Sequence, residues 1–568
     1  MKLNGFHLLW SVSLISLLGC FNQEDKVDNQ EARPNILLIV ADDLGYTDLA
    51  NYGGEINTPN LTALSKDGTS FTSFYSGPTC SPARSMMLTG VDSHRAGFGT
   101  MNGDCADNQL GLRGYEGHLN NDVVTFPKLL ADAGYHTSMA GKWHLSSPKD
   151  KDNWPIARGF TRSFAMMEGG AGHFDDMQPL LKPIGKAGYV EDESLLDTLS
   201  KGFYSSKNYA DKAIEFITES QNKEKPFFHY LSFTAPHWPL QVPDEFIDLY
   251  KGRYDDGYEA LALSRLNAAK RSGIIPQQTD VPALPPNVMP WDDLPIADKL
   301  KAIRSMEIYA AMIERMDHHI GRVIQFMKDT DSYDNTLIIF LSDNGAEGNS
   351  ITGYINTQQW VDESFDNSLQ NMGRANSYVE LGTGWATASS VPFKWYKAFT
   401  SEGGMRVPAT IKLPKRNSNN IEFTPQIATV LDIAPTCLEV ANVAQPETSY
   451  LKKQFFPMSG QSMIPFLSGE ASAIHADDQV FAFELFGRRS IRKRNWKAEW
   501  LEKPYGTAQW QLYDLNSDLS QEIDLAKSQS EILTELLDDW SIYKKENDVT
   551  LPDRPTAYAT EKFWRKDR

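Results

Sequence analysis

Pro34-Asn35-Ile36-Leu37-Leu38-Ile39-Val40-Ala41-Asp42-Asp43 is the stretch from which the fold can be read. The run 35–40 is continuously apolar, β-branched in part, and of strand length, the pattern of a strand buried on both faces. Similar runs recur at 135–140, 227–233 and 336–341. Between them lie amphipathic stretches. The clearest places Met306, Tyr309, Ile313, Met316, Ile320, Val323 and Met327 at alternating steps of three and four, which draws one apolar face on a helix. Such a stripe is core packing. Strands alternating with helices predict an α/β fold, a large and mostly parallel sheet sandwiched by helices.

Outward from this core, the chain divides into four parts. Residues 1–19 have one early lysine and an apolar stretch at 6–18, too short to span a bilayer, and read as an export signal. They end in Leu17-Leu18-Gly19-Cys20, which resembles a bacterial lipobox and implies lipidation of Cys20; a plain secretory signal with an incidental cysteine is the alternative. Residues 20–33 are a polar tether. Residues 34–468 form the large domain. The region 254–293, rich in Pro and Asp, reads as a loop-like excursion from it. Near 468–478 the sequence turns polar and small, and 469–568 read as a smaller α+β domain with strands at 479–485, 490–491, 496–500 and 510–513 and a helix at 529–545. The expected location is outside a bacterial cytoplasm, in the periplasm or at the cell surface, held on a membrane by the lipid.

The 568 residues carry 55 Lys plus Arg against 74 Asp plus Glu, a net charge of −19. That balance argues against a broad nucleic-acid surface, and any anionic substrate needs a local cationic site. The four cysteines, Cys20, Cys80, Cys105 and Cys437, are too few for a disulfide scaffold in a chain of this size. Cys105 and Cys437 could pair or sit as small buried hydrophobes.

In an open parallel sheet ligands bind beyond the carboxyl ends of the strands. The run at 35–40 leads to Asp42-Asp43, and that at 135–140 to Gly141-Lys142-Trp143-His144. The run at 227–233 leads to Pro236-His237, and that at 336–341 to Asp343-Asn344-Gly345. Asp42, Asp43, Asp343 and Asn344 offer hard oxygen ligands that suit calcium or magnesium and not zinc. Singly, each pair reads equally as a helix cap or turn.

Between these comes Cys80-Ser81-Pro82-Ala83-Arg84-Ser85-Met86-Met87-Leu88-Thr89-Gly90. Pro82 fits a first helical turn and Gly90 a helix end. Cys80 would then sit at a helix N-terminus, where a thiol is favoured as a thiolate nucleophile, or else be a buried structural cysteine. The stretch resembles the signature of type I sulfatases, of the alkaline-phosphatase superfamily: Cys-x-Pro-x-Arg and, four residues on, Thr-Gly. The likeness runs from Pro34 to the C-terminal strands, and the pattern is nearest to bacterial arylsulfatases.

The resemblance implies that a maturation enzyme oxidises Cys80 to Cα-formylglycine, whose hydrate attacks sulfur and carries a covalent sulfate. It implies Ca2+ held by Asp42, Asp43, Asp343, Asn344 and the modified residue 80. Arg84 would bind the hydrate or the metal ligands. Gly141-Lys142-Trp143-His144 matches a segment in which Lys142 binds sulfate and His144 acts as base. Pro236-His237 matches one whose histidine protonates the leaving oxygen, and Lys397, five residues before Glu402-Gly403-Gly404, matches a second sulfate-binding lysine. Taken alone, Lys142 and Lys397 would be surface charges and the two histidines structural. His318 and His319 read as surface or packing, and His173, on a Gly-rich loop, as a candidate for the pocket lining. The segment 352–385 resembles its counterpart in arylsulfatases acting on simple esters, so the expected substrate is an aryl sulfate or a sulfated carbohydrate. A phosphate or phosphonate monoester hydrolase, and an inactive lipoprotein that binds sulfated glycans, are the alternatives.

Overall fold

The first apolar run forms β1 (Asn35–Ala41), and its alternate side chains enter two different cores. Leu37, Ile39 and Ala41 join one cluster with Tyr309 and Ile313; Ile36, Leu38 and Val40 join another with Met86 and Met87. Each buried Ile, Leu or Val contributes roughly 1.5–3 kcal/mol, which is why positions 36–40 admit no polar residue. The computed structural model describes residues 33–351, 357–414 and 421–554. The export signal, Cys20 and nearly all of the tether lie outside the described residues, as do 352–356 and 555–568.

Nine further strands complete the main sheet: β2 (Thr69–Tyr75), β3 (His136–Lys142), β4 (Arg162–Met166), β5 (Tyr189–Glu191), β6 (Ser194–Leu195), β7 (Phe227–Ser232), β8 (Thr336–Ser342), β9 (Arg406–Lys412) and β10 (Phe423–Thr429). Their order is β10-β2-β9-β8-β1-β7-β3-β4-β5-β6. The four expected strands are the contiguous centre, β8-β1-β7-β3, all parallel. Their shared direction brings four carboxyl ends to one rim. β9 runs antiparallel to both its neighbours, and β5 antiparallel to β4 and β6. The sheet is mixed and mostly parallel.

The helix Ile296–Asp329 covers one face, with every residue of the expected stripe buried. The helix Cys80–Thr89 packs in the core of the other and is buried along its whole length. The region 254–293 departs from the loop expected of it. Gly257–Arg271 is a helix whose Ala262, Leu266 and Ala269 enter the core, because an Ala- and Leu-rich segment sits between Asp255-Asp256 and the Pro-rich stretch after it, which masked it. At the C-terminal end, Val480–Leu485, Arg488–Lys493, Trp496–Trp500 and Trp510–Asp514 form an antiparallel meander. The helix Ser530–Glu546 packs Leu536 and Trp540 onto its Ile491, Ala498 and Leu512.

Candidate active site

β1 ends in Asp42 and Asp43, and Asp43 takes a left-handed turn with φ of 66°. That turn sets its backbone amide 3.3 Å from Oδ1 of Asp343, at the end of β8. The Cys80 thiol, in the first turn of its helix, lies 3.4 Å from Oδ1 of Asp42 and 3.8 Å from Oδ1 of Asp43. The helix closes where expected, with Gly90 at φ 67° donating to the carbonyl of Met86.

Each carboxylate meets a buried cation. Lys142 Nζ donates to both oxygens of Asp42, at 2.9 and 2.7 Å. Lys397 Nζ reaches Asp43 at 2.9–3.0 Å and Glu347 at 3.0 Å. Arg84 directs Nε and Nη2 to Oδ2 of Asp343, at 2.8 and 2.7 Å. Its Nη1 donates to the carbonyl of Lys142 and to Tyr230 and Ser232. Arg84 is therefore enclosed and outside the cavity lining, and it anchors Asp343, with Nη2 held by the ion pair alone. His237 Nδ1 donates to the carbonyl of Trp238, which leaves Nε2 directed at Asp43, 3.5 Å away. His144, with φ of 54°, is half-buried and its Nδ1 has no partner.

Burial pushes the Asp42 carboxyl up to about 7, with Lys142 pulling against it. At Asp43 the same desolvation is outweighed by Lys397, His237 and Lys142, which hold it at about 2. Burial, and then the charge of Asp343, push the Cys80 thiol well above its ordinary value. Desolvation drives both His144 and His237 well below the imidazole range; the cations Lys142 and Arg84 add to this at His144, while at His237 Asp43 opposes it.

A metal fits these residues. Ligand atoms of Asp42, Asp43, Cys80 and His237 lie within 4.8 Å of one another. Asn344 Nδ2 donates to Asp43 at 2.6 Å, and this fixes Oδ1 as a buried oxygen with no partner. An unpartnered amide oxygen among carboxylates is a cation ligand in waiting. Four carboxylates (Asp42, Asp43, Asp343, Glu347) also face only three cations (Arg84, Lys142, Lys397).

Cys80, His144, His237 and Lys397 line a cavity of about 450 Å³. Gly169 and Gly170 pass against its histidines. A Cβ at Gly169 would lie 2.9 Å from His144 Cε1, and one at Gly170 would lie 3.0 Å from His237 Cε1. His173 does not line the cavity. It is buried, with Nδ1 on Ser205 and Nε2 on the carbonyl of His237, so it braces the loop from behind. His319 is buried beside Tyr204 and His318 is exposed. Cys105 and Cys437 are both free thiols. Glu347, Tyr230 and Ser232 went unread in the sequence; Glu347, four residues after Asp343, carried a signal only in its closeness to that strand end.

The sulfatase family model matches residues 34–443. The chain belongs to the sulfatase family. It is thus an enzyme of a family of sulfuric ester hydrolases. An uncharacterized sulfatase of Schizosaccharomyces pombe is 41% identical over 541 residues, 92% of this chain and 96% of that protein. The arylsulfatase of Klebsiella aerogenes is 38% identical over 440 residues, 76% of this chain and 92% of that one. Among solved structures, Ps i-CgsB in complex with k-i-k-neocarrahexaose superposes with a TM-score of 0.65 at 24% identity, covering 92% of this chain and 95% of that one. It shares the sulfatase fold.

Proposed function

We propose that the chain hydrolyses sulfate esters through residue 80 in its formylglycine form, with calcium held by Asp42, Asp43, Asp343, Asn344 and residue 80. The observation that carries this reading is the convergence on Cys80 of two carboxylates, two buried lysines and two histidines, from the ends of β1, β3 and β7 and the segment before β9.

When present, calcium supplies positive charge against a sulfate oxygen, and the hydrated aldehyde of residue 80 supplies the attacking hydroxyl. The protein's own groups do the rest. Lys142 and Lys397, both enclosed, offer ammonium hydrogens to the sulfuryl oxygens as negative charge moves onto them. His237 has Nδ1–H fixed on a carbonyl, so Nε2 is the atom turned to the leaving oxygen, and it delivers a proton to the departing alcohol once the anionic substrate has brought the ring to its imidazolium form. His144 Nδ1, unpartnered beside the cavity, suits the base that takes a proton from the residue 80 hydroxyl. Arg84 holds Asp343 in place.

The substrate is a sulfated small molecule or glycan; the names of the Klebsiella arylsulfatase and of the neocarrahexaose complex support each class. The N-terminal sequence supports export and tethering through Cys20, and the sequence shift near 469 supports a separate C-terminal domain. To test the reading, the protein is coexpressed with a formylglycine-generating enzyme and sulfate release from an aryl sulfate is compared with phosphate release from the matching phosphate. Faster sulfate release that requires calcium supports the reading; preferred phosphate turnover contradicts it.

A further inference from the structure

One wall of the cavity takes no part in the reaction as described. Asp104 and Glu168 line it, both half-buried. Glu168 is fixed in place, because Oε2 accepts the amide of Gly188 at 2.9 Å. Among the described residues that line the cavity Lys397 is the only lysine or arginine, and it is already held between Asp43 and Glu347. The lysines of the adjoining loop, Lys182 and Lys186, are exposed and outside the lining. The lining further includes an apolar group, Leu180, Leu181, Ile184 and Trp238, and the uncharged polar Asn102, Ser146 and Ser147. The cavity thus has a cationic floor for one anion and, beyond it, carboxylates beside an apolar ledge.

We propose that Asp104 and Glu168 select singly sulfated substrates whose remaining body is uncharged or cationic, and that they exclude a second sulfate or a carboxylate. The inference rests on the sulfatase reading of the floor. With its sulfate on the floor, a substrate's body lies on the ledge of Leu180, Leu181, Ile184 and Trp238, which favours a ring face or alkyl group. Hydroxyl or amine substituents meet acceptors in Asp104 and Glu168. A second anion there would be desolvated against like charges with no cation to answer it, and such a contact discriminates by repulsion. Burial pushes both carboxyls up to about 7, so both are largely ionised on the alkaline side of neutrality. The substrates that fit are aryl or alkyl monosulfates and neutral monosulfated sugars; densely sulfated or uronate-bearing chains do not.

The test compares kcat/KM for three phenyl sulfates carrying a hydroxymethyl, an aminomethyl or a carboxymethyl group, at pH 8, on the mature enzyme and on Asp104→Asn/Glu168→Gln. The wild type should disfavour the carboxymethyl ester by tenfold or more relative to the other two. In the double variant that ratio should move tenfold or more toward unity, and each single variant should move it the same way. Because the readout is a ratio within one preparation, partial folding or incomplete oxidation of residue 80 cancels. A wild type indifferent to the charge, or a preference unchanged in the variants, overturns this inference alone. No turnover of any of the three brings down the sulfatase reading as well.

Discussion

Arg488, on the second strand of the C-terminal meander, donates to the carbonyl of Ala398 at 2.9 Å and so holds the residue next to Lys397. Ala398 has a left-handed φ of 74°. The guanidinium is buried, pairs with Glu502 at 2.9 Å and lies 3.9 Å over the ring of Phe399. The C-terminal sheet therefore fixes one of the two buried lysines of the site. A second tie runs through Lys497, which reaches Glu402 at 2.8 Å just after that segment.

Replacing Arg488 by Lys removes the planar fork and the stacking on Phe399 while keeping the charge. The expected result is a fall in kcat/KM of about tenfold. Stability should drop by roughly 1–3 kcal/mol, as for loss of a charged hydrogen bond. In a Lys397→Ala background the same substitution should cost far less activity, which a double-mutant cycle measures.

Gly169→Ala and Gly170→Ala push a methyl group against the rings of His144 and His237 respectively, at 2.9 and 3.0 Å before relaxation. Neither glycine has a positive φ, so the backbone accepts alanine. The expected loss is about 10- to 100-fold in kcat with an unchanged circular dichroism spectrum, because small displacements of positioned groups carry costs of that order. Wild-type kcat in both variants would show that the close approach has no bearing on the chemistry.

The sequence made the central sheet legible because β1, β7 and β8 are covered on both faces and so read as mostly apolar runs, whereas β3, His136–Lys142, is more polar. β2, Thr-Ser-Phe-Thr-Ser-Phe-Tyr, is just as buried, but its hydroxyls find partners in the interior, as Ser70 does with Thr410 of β9 and Ser65 of the preceding helix, and they hide the run. β9 contains Pro408, a poor strand residue. It falls where the register with β2 shifts between Phe71 and Phe74, at a bulge that needs no N–H donor. In the site, Asp42, Asp43, Asp343 and Asn344 were legible because they directly follow strands, and Lys142 and His144 because the segment at the end of β3 resembles a sulfatase motif. Tyr230 and Ser232 lie within β7, and Asp104 and Glu168 on irregular segments, where nothing local announces what they face.

Calcium binding should stabilise the protein through the unpartnered oxygen of Asn344. At a hundredfold excess over the dissociation constant, the gain is about 2.7 kcal/mol, seen as a rise in Tm that chelation reverses. Asn344→Ala should lose most of that rise. An equal calcium response in the variant would remove Asn344 from the ligand set.

His94 links the large sheet to the C-terminal elements. Its ring nitrogens meet Asp92 at 2.9 Å and Glu484 at 3.0 Å, and Tyr543 donates to Asp92 at 2.9 Å. Burial lowers its proton affinity, but the two carboxylates outweigh this and raise the imidazole to about 9. The stabilisation, on the order of 2 kcal/mol, is fully present below the unfolded value near 6.5. It is lost as pH rises through about 9. Thermal unfolding should show Tm falling across that window, and His94→Gln should lower Tm at pH 6 and flatten the decline.

The central claim is that activity belongs to residue 80 in its oxidised form. Preparations with graded coexpression of the maturation enzyme would have the aldehyde fraction at residue 80 measured by peptide mass spectrometry, with sulfate release from phenyl sulfate assayed on the same samples. The account predicts that kcat rises in proportion to the aldehyde fraction, extrapolates to zero without it, and is absent in Cys80→Ala. Activity independent of that fraction, or retained in Cys80→Ala, would contradict it.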